Sequence, residues 1–540
     1  MIHNMRRIAL ALLVLIASAC EREVPQPPTP APQPPVSNAP RDGGRLQRRM
    51  ETDVKTLNYL LHAEEEERQV LAYIFEPLIA FDQNLAPIPN LATKWEVGDG
   101  GRSYTLHLDP RATFSDKTPV LASDVVFTIF KALDEESPQF ASWFEGLDRA
   151  QTKALDAHTV RVVFKEPRVA QLFSFNISVV PEHVYGKGEL AKVDAVVGAG
   201  PYVFKRHQTG QSVLLERRDD YWREKPHVAS ILFRVVADES VAWRAFMRGE
   251  LDVGRINNDT WWREKDKPEV QKKFEFFSVW LLSYNCFVWN LDDPLFADAR
   301  VRRALAMAFD RRAVIEKIYH GEARPVTGPF TPDQWAHNDE VPPIEFNPDV
   351  AKTLLASANW RDSDNDGVLD RDGKKFAFTL LIPAGNVARD QAQILQNALQ
   401  KIGVKVEIAT MDGAAFFDRV MNRNFQAAFF AWVLEPDPDK DLYSLFHSKQ
   451  KAPEGLNVGG YASAEADELI EQGRVEFDRA RRTEIYHQLH DLLARDQPYL
   501  WTIQPASKWA VNKRVQNVRV AKGVGLFLWY PGPMAWWLKE

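Results

Sequence analysis

The stretch VWLLSYNCFVWNLDDPLFADARVRR, Val279 to Arg303, places the strongest constraint on the fold. Leu281, Tyr284, Phe287, Val288 and Trp289 make an apolar, aromatic and β-branched run, which suits a strand buried within a sheet. Asn290 ends the run. Asp292, Asp293 and Pro294 predict a turn, because proline disfavours helix at the residue before it and aspartate favours local turns. Asp298 is a good N-cap for a helix with Val301, Leu305 and Ala308 on one face. Asp310 caps a second helix, Arg311 to His320, and Gly321 sits where a left-handed C-cap belongs. A buried strand thus passes through an acidic turn into a new helical unit near the middle of a 540-residue chain. We read this as the crossover between two lobes.

A chain of this length can bury several cores, and two or three domains are expected. The net charge of −7 offers no broad basic surface, so nucleic acid is not an expected partner. The 16 Trp, 13 Tyr and 31 Phe are more than cores alone call for. Aromatic side chains supply contact area at low entropy cost, so part of them can line a cavity.

The chain has two cysteines. Cys20 follows MIHNMRRIALALLVLIASA, in which Arg6 and Arg7 precede an apolar run, Ile8 to Ile16, too short to span a membrane. Ala17, Ser18 and Ala19 are small, as signal peptidase requires. The segment resembles a bacterial lipobox with Cys20 as the lipidated residue, although Ala17 stands where Leu is usual. A plain secretory signal is the alternative. Cys286 then has no intramolecular partner and is expected to be a buried small hydrophobe. Glu21 to Pro40, beginning EREVPQPPTPAPQPPV, cannot form a core and favours extended polyproline; about sixteen such residues reach about 50 Å, so residues 21–44 read as a tether.

Beyond the tether the elements alternate. Hairpin, helix and strand signals between residues 86 and 195 read as a self-contained α+β insert, with Gly98, Gly100 and Gly101 in the first hairpin turn. Val213 to Arg217, Val241 to Arg248 and Leu251 to Val253 continue the N-terminal unit as strand, helix and strand. After the crossover come a helix at Val350 to Ala358, a strand at Phe376 to Ile382, a helix from Ala388 to Ile402 and an apolar strand at Ala427 to Val433. The expected division is 1–20 signal, 21–44 tether, 45–85 with 196–289 and 505–540 as lobe I, 86–195 as its insert, and 290–504 as lobe II.

Several blocks carry a specific resemblance. LFADARVRRALAMAFDRRAVIEKIYHGEARPVTGPF resembles a block of the extracytoplasmic solute-binding proteins of the oligopeptide/dipeptide/nickel type (solute-binding protein family 5). IFEPLIAFDQNLAPIPNLATKWEV, GAGPYVFKRHQTGQSVLLERRDDYW, FNPDVAKTLLASANW and AFFAWVLEPDPD match in the same order. The resemblance runs from about residue 45 to the end. It implies a two-lobed α/β fold of the type II periplasmic-binding-protein kind, with an extra α+β subdomain in the first lobe. It also implies a monomeric, non-enzymatic receptor for a small molecule or peptide, most often a peptide, serving a membrane permease and its ATPase subunits.

In the resembled family an aspartate three places after a tryptophan pairs with the ligand's α-ammonium. Here Trp432 is followed at that spacing by Glu435, longer by one methylene, and then by Asp437. A carboxylate in a desolvated cleft needs a cation, or its pKa rises. Asn290, Trp289, Tyr284 and Asn285, at the crossover, are further ligand-binding candidates.

Asp362, Asp364, Asp366, Gly367 and Asp370 have the odd-position oxygens and central glycine of a calcium loop, but Gly373 stands where a bidentate Glu is needed. An Asp-Gly-rich turn accounts for them, and no metal or cofactor is expected. His487 and His490, one helical turn apart without further ligands, are expected on an exposed face. No Walker loop or GxSxG elbow is present. Carboxylates are plentiful, so an envelope-anchored hydrolase stays open, as does a solute sensor without a transport role.

Overall fold

The computed structural model describes residues 39–82, 86–135, 137, 140–521, 529 and 532–539. Cys20, the signal segment and most of the tether lie outside the described residues. Two large sheets, joined by two short crossovers, organise the chain from Pro40 onward, which packs as one unit.

The first sheet has eight strands among the described residues. Arg45–Met50 lies near its middle, parallel to Ser230–Val235 on one side and to Val253–Ile256 on the other. Ser212–Arg217 and Tyr202–Gln208 extend one edge as an antiparallel pair. Ile503–Asn512 and Phe274–Trp280 close the other. The second sheet runs Lys405–Met411, Ala377–Pro383, Ala427–Val433, Ser283–Trp289 and Tyr499–Trp501. A four-stranded antiparallel sheet, Ala92–Gly98 to Thr159–Val163 with Lys153–Ala154, packs against the helix Ala122–Asp134 and forms the insert.

Ser283–Trp289 is buried along its whole length. Phe287 and Trp289 face the core that includes Val301, Leu305 and Leu395. Tyr284, Cys286 and Val288 face the opposite core, with Leu489, Leu493 and Trp501. Successive side chains of a strand point to opposite faces, so a strand covered on both sides is mostly apolar, and its buried Asn285 amide is met by a hydrogen bond to Tyr319.

The expected crossover at residue 290 is corrected by the pairing. Ser283–Trp289 belongs to the second sheet, paired with Ala427–Val433, so the chain changes sheets at Leu281 and Leu282. It returns at Thr502, between Tyr499–Trp501 and Ile503–Asn512. The two crossings are tied together. Thr502 N–H and Oγ1–H both donate to the Asn285 carbonyl at 2.9 Å. Gln504 Nε2 donates to the Leu281 carbonyl at 2.8 Å. The apolar run continues unbroken across the real crossing, so hydrophobicity gives no sign of it there; the polar break at Asn290 marks only the strand's end.

The helices after the crossover start as their caps predict. Asp298 accepts from Arg300 N–H and Asp310 from Ala313 N–H. The second helix ends at Tyr319, with His320 and Gly321 both left-handed at φ 51° and 85°.

Candidate functional site

A cavity of about 1200 Å³ is walled by both lobes. The first lobe contributes Arg48 from its central strand, Arg68, Leu71 and Phe75 from and just beyond the helix Glu65–Leu71, and Tyr221 and Arg223. The insert contributes Trp143, Phe173 and Ser178. The second lobe contributes Val433, Leu434, Glu435 and Pro436, where Ala427–Val433 ends. Apolar walls with a few placed charges are what a ligand cleft requires.

The second-lobe lip is built from closely spaced charges. Glu435 N–H donates to Asp441 Oδ2 at 2.8 Å, which holds the chain where it leaves the strand. Burial, then the Glu435 carboxylate, pushes the Asp441 carboxyl well above its usual range. Lys440 lies 5.0 Å from the Trp143 ring, a cation–π contact between the second lobe and the insert. Burial lowers the Lys440 ammonium to about 8, against the pull of Glu435, Asp439 and Asp441. A second contact between insert and second lobe runs from Val169 N–H to the Arg474 carbonyl at 3.0 Å.

Glu435 and Asp437, two residues apart, have different surroundings. Glu435 is half-buried and lines the cavity, and no side-chain hydrogen bond or ion pair engages its carboxylate among the described residues. The Asp437 side chain is 2 % exposed and forms a two-pronged ion pair with Arg482, at 2.6 and 2.7 Å. Arg482 is held further by the Gly473 carbonyl at 2.8 Å, and Asp439 is paired with Arg474 at 3.1 Å.

The remaining sequence candidates lie elsewhere. Trp432 stacks on Phe430 at 4.9 Å and packs against the second-lobe core. Trp289 stacks on Phe296 in the opposite core, and Tyr284 is fully buried. Asn285 Nδ2 donates to Tyr319 Oη at 3.1 Å. Asn290 Nδ2 donates to the Arg423 and Phe425 carbonyls, a lock on the strand's end. None of these five lines the cavity.

Sequence reasoning missed the first-lobe wall. RLQRRM puts Arg48 and Arg49 inside a central strand, and an arginine in such a place is a signal of a functional or paired charge. Glu76 is another. Burial raises its carboxyl pKa, while Arg223 at 3.3 Å and the Tyr221 hydroxyl at 3.1 Å oppose that rise.

The expected exposure of His490 is corrected: the ring is buried. Its Nδ1 accepts from Asn338 N–H at 3.1 Å, so the proton sits on Nε2, which donates to Thr327 Oγ1 at 3.0 Å. Gly328 lies against the ring, where a Cβ would fall 2.3 Å from Cδ2. Burial lowers its pKa to about 3.

The acidic loop is organised around a lysine. The Lys375 ammonium lies 2.6 Å from Asp364, 2.9 Å from Asp366 and 3.6 Å from Asp370. Asp362 accepts from the N–H groups of Asp366 and Gly367 at 3.1 and 3.0 Å. Asp362, Asp364 and Asp370 bring their oxygens within 4.8 Å of one another.

A large cavity between two α/β lobes, reached by two tied crossovers, defines a two-lobed binding protein. The chain belongs to the bacterial extracellular solute-binding proteins, family 5, whose model, described as "Bacterial extracellular solute-binding proteins, family 5 Middle", matches residues 86–453. It is 27 % identical to the oligopeptide-binding protein AppA of Bacillus subtilis over 93 % of both chains. The structure of that protein in complex with a nonapeptide matches with a TM-score of 0.78, covering 93 % of this chain and 100 % of the other. The dipeptide-binding protein of Escherichia coli is 26 % identical over 80 % of this chain and 83 % of its own length. Among the described residues no helix is long and apolar enough to cross a membrane.

Proposed function

We propose that the protein captures a peptide between its lobes and delivers it to a membrane permease driven by ATPase subunits. The observation that carries this reading is the 1200 Å³ cavity with Glu435 at its second-lobe lip. Pockets for small ligands span about 300–1,000 Å³, so this one has room for a ligand of several residues. The relatives named for oligopeptide and dipeptide binding, and the nonapeptide complex of AppA, support the same ligand class.

In this reading Glu435 meets the ligand's α-ammonium. Asp437 is already neutralised by Arg482 and serves the lip's structure. A ligand touching both lobes favours the closed arrangement by its differential affinity for it, with no bond made or broken. Residues 86–195 act as the insert that the second lobe closes against. Cys20 carries a lipid, and the Pro-rich segment lets the monomeric body work at the membrane surface.

Mass spectrometry of ligand released from gently purified protein tests the reading. Unaltered peptides are expected. A co-purified sugar or metal chelate without peptide, or turnover of added peptides, would overturn it.

A further inference from the structure

On the first-lobe wall two guanidinium groups are linked to one carboxylate, Arg68 directly and Arg48 through Gln69. Arg48 is 4 % exposed and, among the described residues, has no carboxylate within 4.0 Å. Its Nη1 donates to Tyr73 Oη at 2.6 Å and its Nη2 to Gln69 Oε1 at 3.2 Å, while its Nε–H is buried without an acceptor. Gln69 Nε2 in turn donates to Glu65 Oε1 at 3.0 Å. Glu65 is also the ion-pair partner of Arg68, whose Nε–H is likewise buried without an acceptor. Both arginines line the cavity. The relay Arg48, Gln69, Glu65, Arg68 therefore carries two positive charges against one negative.

Among the described residues no ion pair joins Arg48 or Arg68 to the wall's other carboxylates, Glu76, Glu224 and Glu435. Arg223 is already met by Glu76 at 3.3 Å and Asn90 at 2.5 Å. The Glu435 carboxylate acts on Arg68 from the second lobe. Once a ligand ammonium engages Glu435, the excess positive charge on the wall returns. A desolvated cation without a counter-charge is strongly unfavourable, and a guanidinium's planar fork matches a carboxylate.

We propose that Arg68, backed by the buried Arg48, is the binding site for a carboxylate of the ligand. The Arg68 side chain is 26 % exposed and makes the contact. Arg48 is a positioning residue that acts through Gln69 and Glu65. The inference rests on the peptide reading above, and the carboxylate is either the peptide's C-terminus or an acidic side chain.

Titration calorimetry on the purified full chain at 0.15 M salt decides it, with two ligand pairs. One is Ala-Ala-Ala and its C-terminal amide; the other is Ala-Glu-Ala-amide and Ala-Gln-Ala-amide. In at least one pair the carboxylate form is expected to bind about 10-fold tighter or more in wild type. Preference in the first pair assigns the site to the C-terminus, and in the second to an acidic side chain. Arg68→Gln is expected to remove the preference between the members of the pair. Arg48→Met should reduce the preference and Arg48→Lys restore it. Equal affinities within both pairs in wild type would overturn the proposal, as would a preference that survives Arg68→Gln. If none of the four peptides binds, the peptide reading fails, and glutarate judges the site alone. A thermal shift with glutarate in wild type that is absent in Arg68→Gln supports the site; no shift in wild type overturns it.

Discussion

At the scale of single residues, Glu435 and Asp437 show how two carboxylates two positions apart acquire different work. Among the described residues Asp437 has a direct ion-pair partner within the fold and Glu435 does not, so their removal should be felt in different measurements. Glu435→Gln is expected to leave the urea midpoint unchanged and weaken binding of a co-purified peptide by ~2–5 kcal/mol, roughly 30-fold to several-thousand-fold, because the ligand's buried ammonium loses its partner. Asp437→Asn leaves the buried Arg482 guanidinium uncompensated and is expected to destabilise the second lobe by ~3–5 kcal/mol. Calorimetry and urea unfolding of the two variants separate these outcomes. Loss of affinity in a stably folded Asp437→Asn, with none in Glu435→Gln, would move the ligand contact two residues along.

His490 belongs to the same scale. Its folded pKa of about 3 lies below the ordinary ~6.5 of an unfolded chain, so between these values the unfolded state binds the extra proton. The stability tied to the neutral ring is complete above pH ~6.5 and declines as the pH falls, by ~1.4 kcal/mol per unit. Protonating Nδ1 would set a donor against the Asn338 N–H, which accounts for the resistance. Wild type is expected to lose about 3 kcal/mol between pH 6.5 and 4 through this ring, and His490→Gln should flatten that part of the profile. Urea midpoints measured along the pH range test it, and parallel profiles for the two proteins would remove His490 from the account.

At the scale of elements, the acidic loop is an example of a fold supplying its own cation. Asp372 and Gly373, with φ of 54° and 74°, make the two-residue hairpin turn between Asp370–Arg371 and Lys374–Lys375. Two successive positive φ values favour Asp-Gly in such a turn. The turn places Lys375 back among Asp364, Asp366 and Asp370, where its ammonium offsets part of the cluster's negative charge. The melting temperature is therefore expected to agree within about 1 °C in chelator and in millimolar calcium. A rise of many degrees with calcium would show a metal bound to the folded state in place of the lysine contact.

At the scale of the whole molecule, the crossings at Leu281–Leu282 and Thr502 are two short segments that join the sheets, and they are hydrogen-bonded to one another. Such a pair lets two lobes swing while each sheet stays intact. The lipobox-like segment before Cys20 adds a second whole-molecule property. Cys20→Ser is expected to shift the protein from the membrane fraction to the soluble fraction in its bacterial host. Membrane association that survives the substitution would leave a different anchor to be found.

The fold class was legible in the sequence because it depends on local patterning. Apolar runs of strand length, Asp298 and Asp310 as caps, and the ordered family blocks each act over a few residues, and each found its expected element. Of the cavity wall only Glu435 was legible in the sequence, where a strand's end carries the family's spacing from Trp432. Trp289, Tyr284 and Asn285 read as candidates because aromatic and amide side chains serve a core and a cleft equally well. Only packing on both faces of their strand assigns them to cores. Arg48 and Arg68 lie 20 positions apart in sequence. Their link through Gln69 and Glu65 depends on a strand and a helix meeting, as the Asp437–Arg482 pair depends on two distant segments. A counter-charge is a property of three-dimensional neighbours, so which of these charges is ion-paired within the fold is decided by packing and not by local sequence.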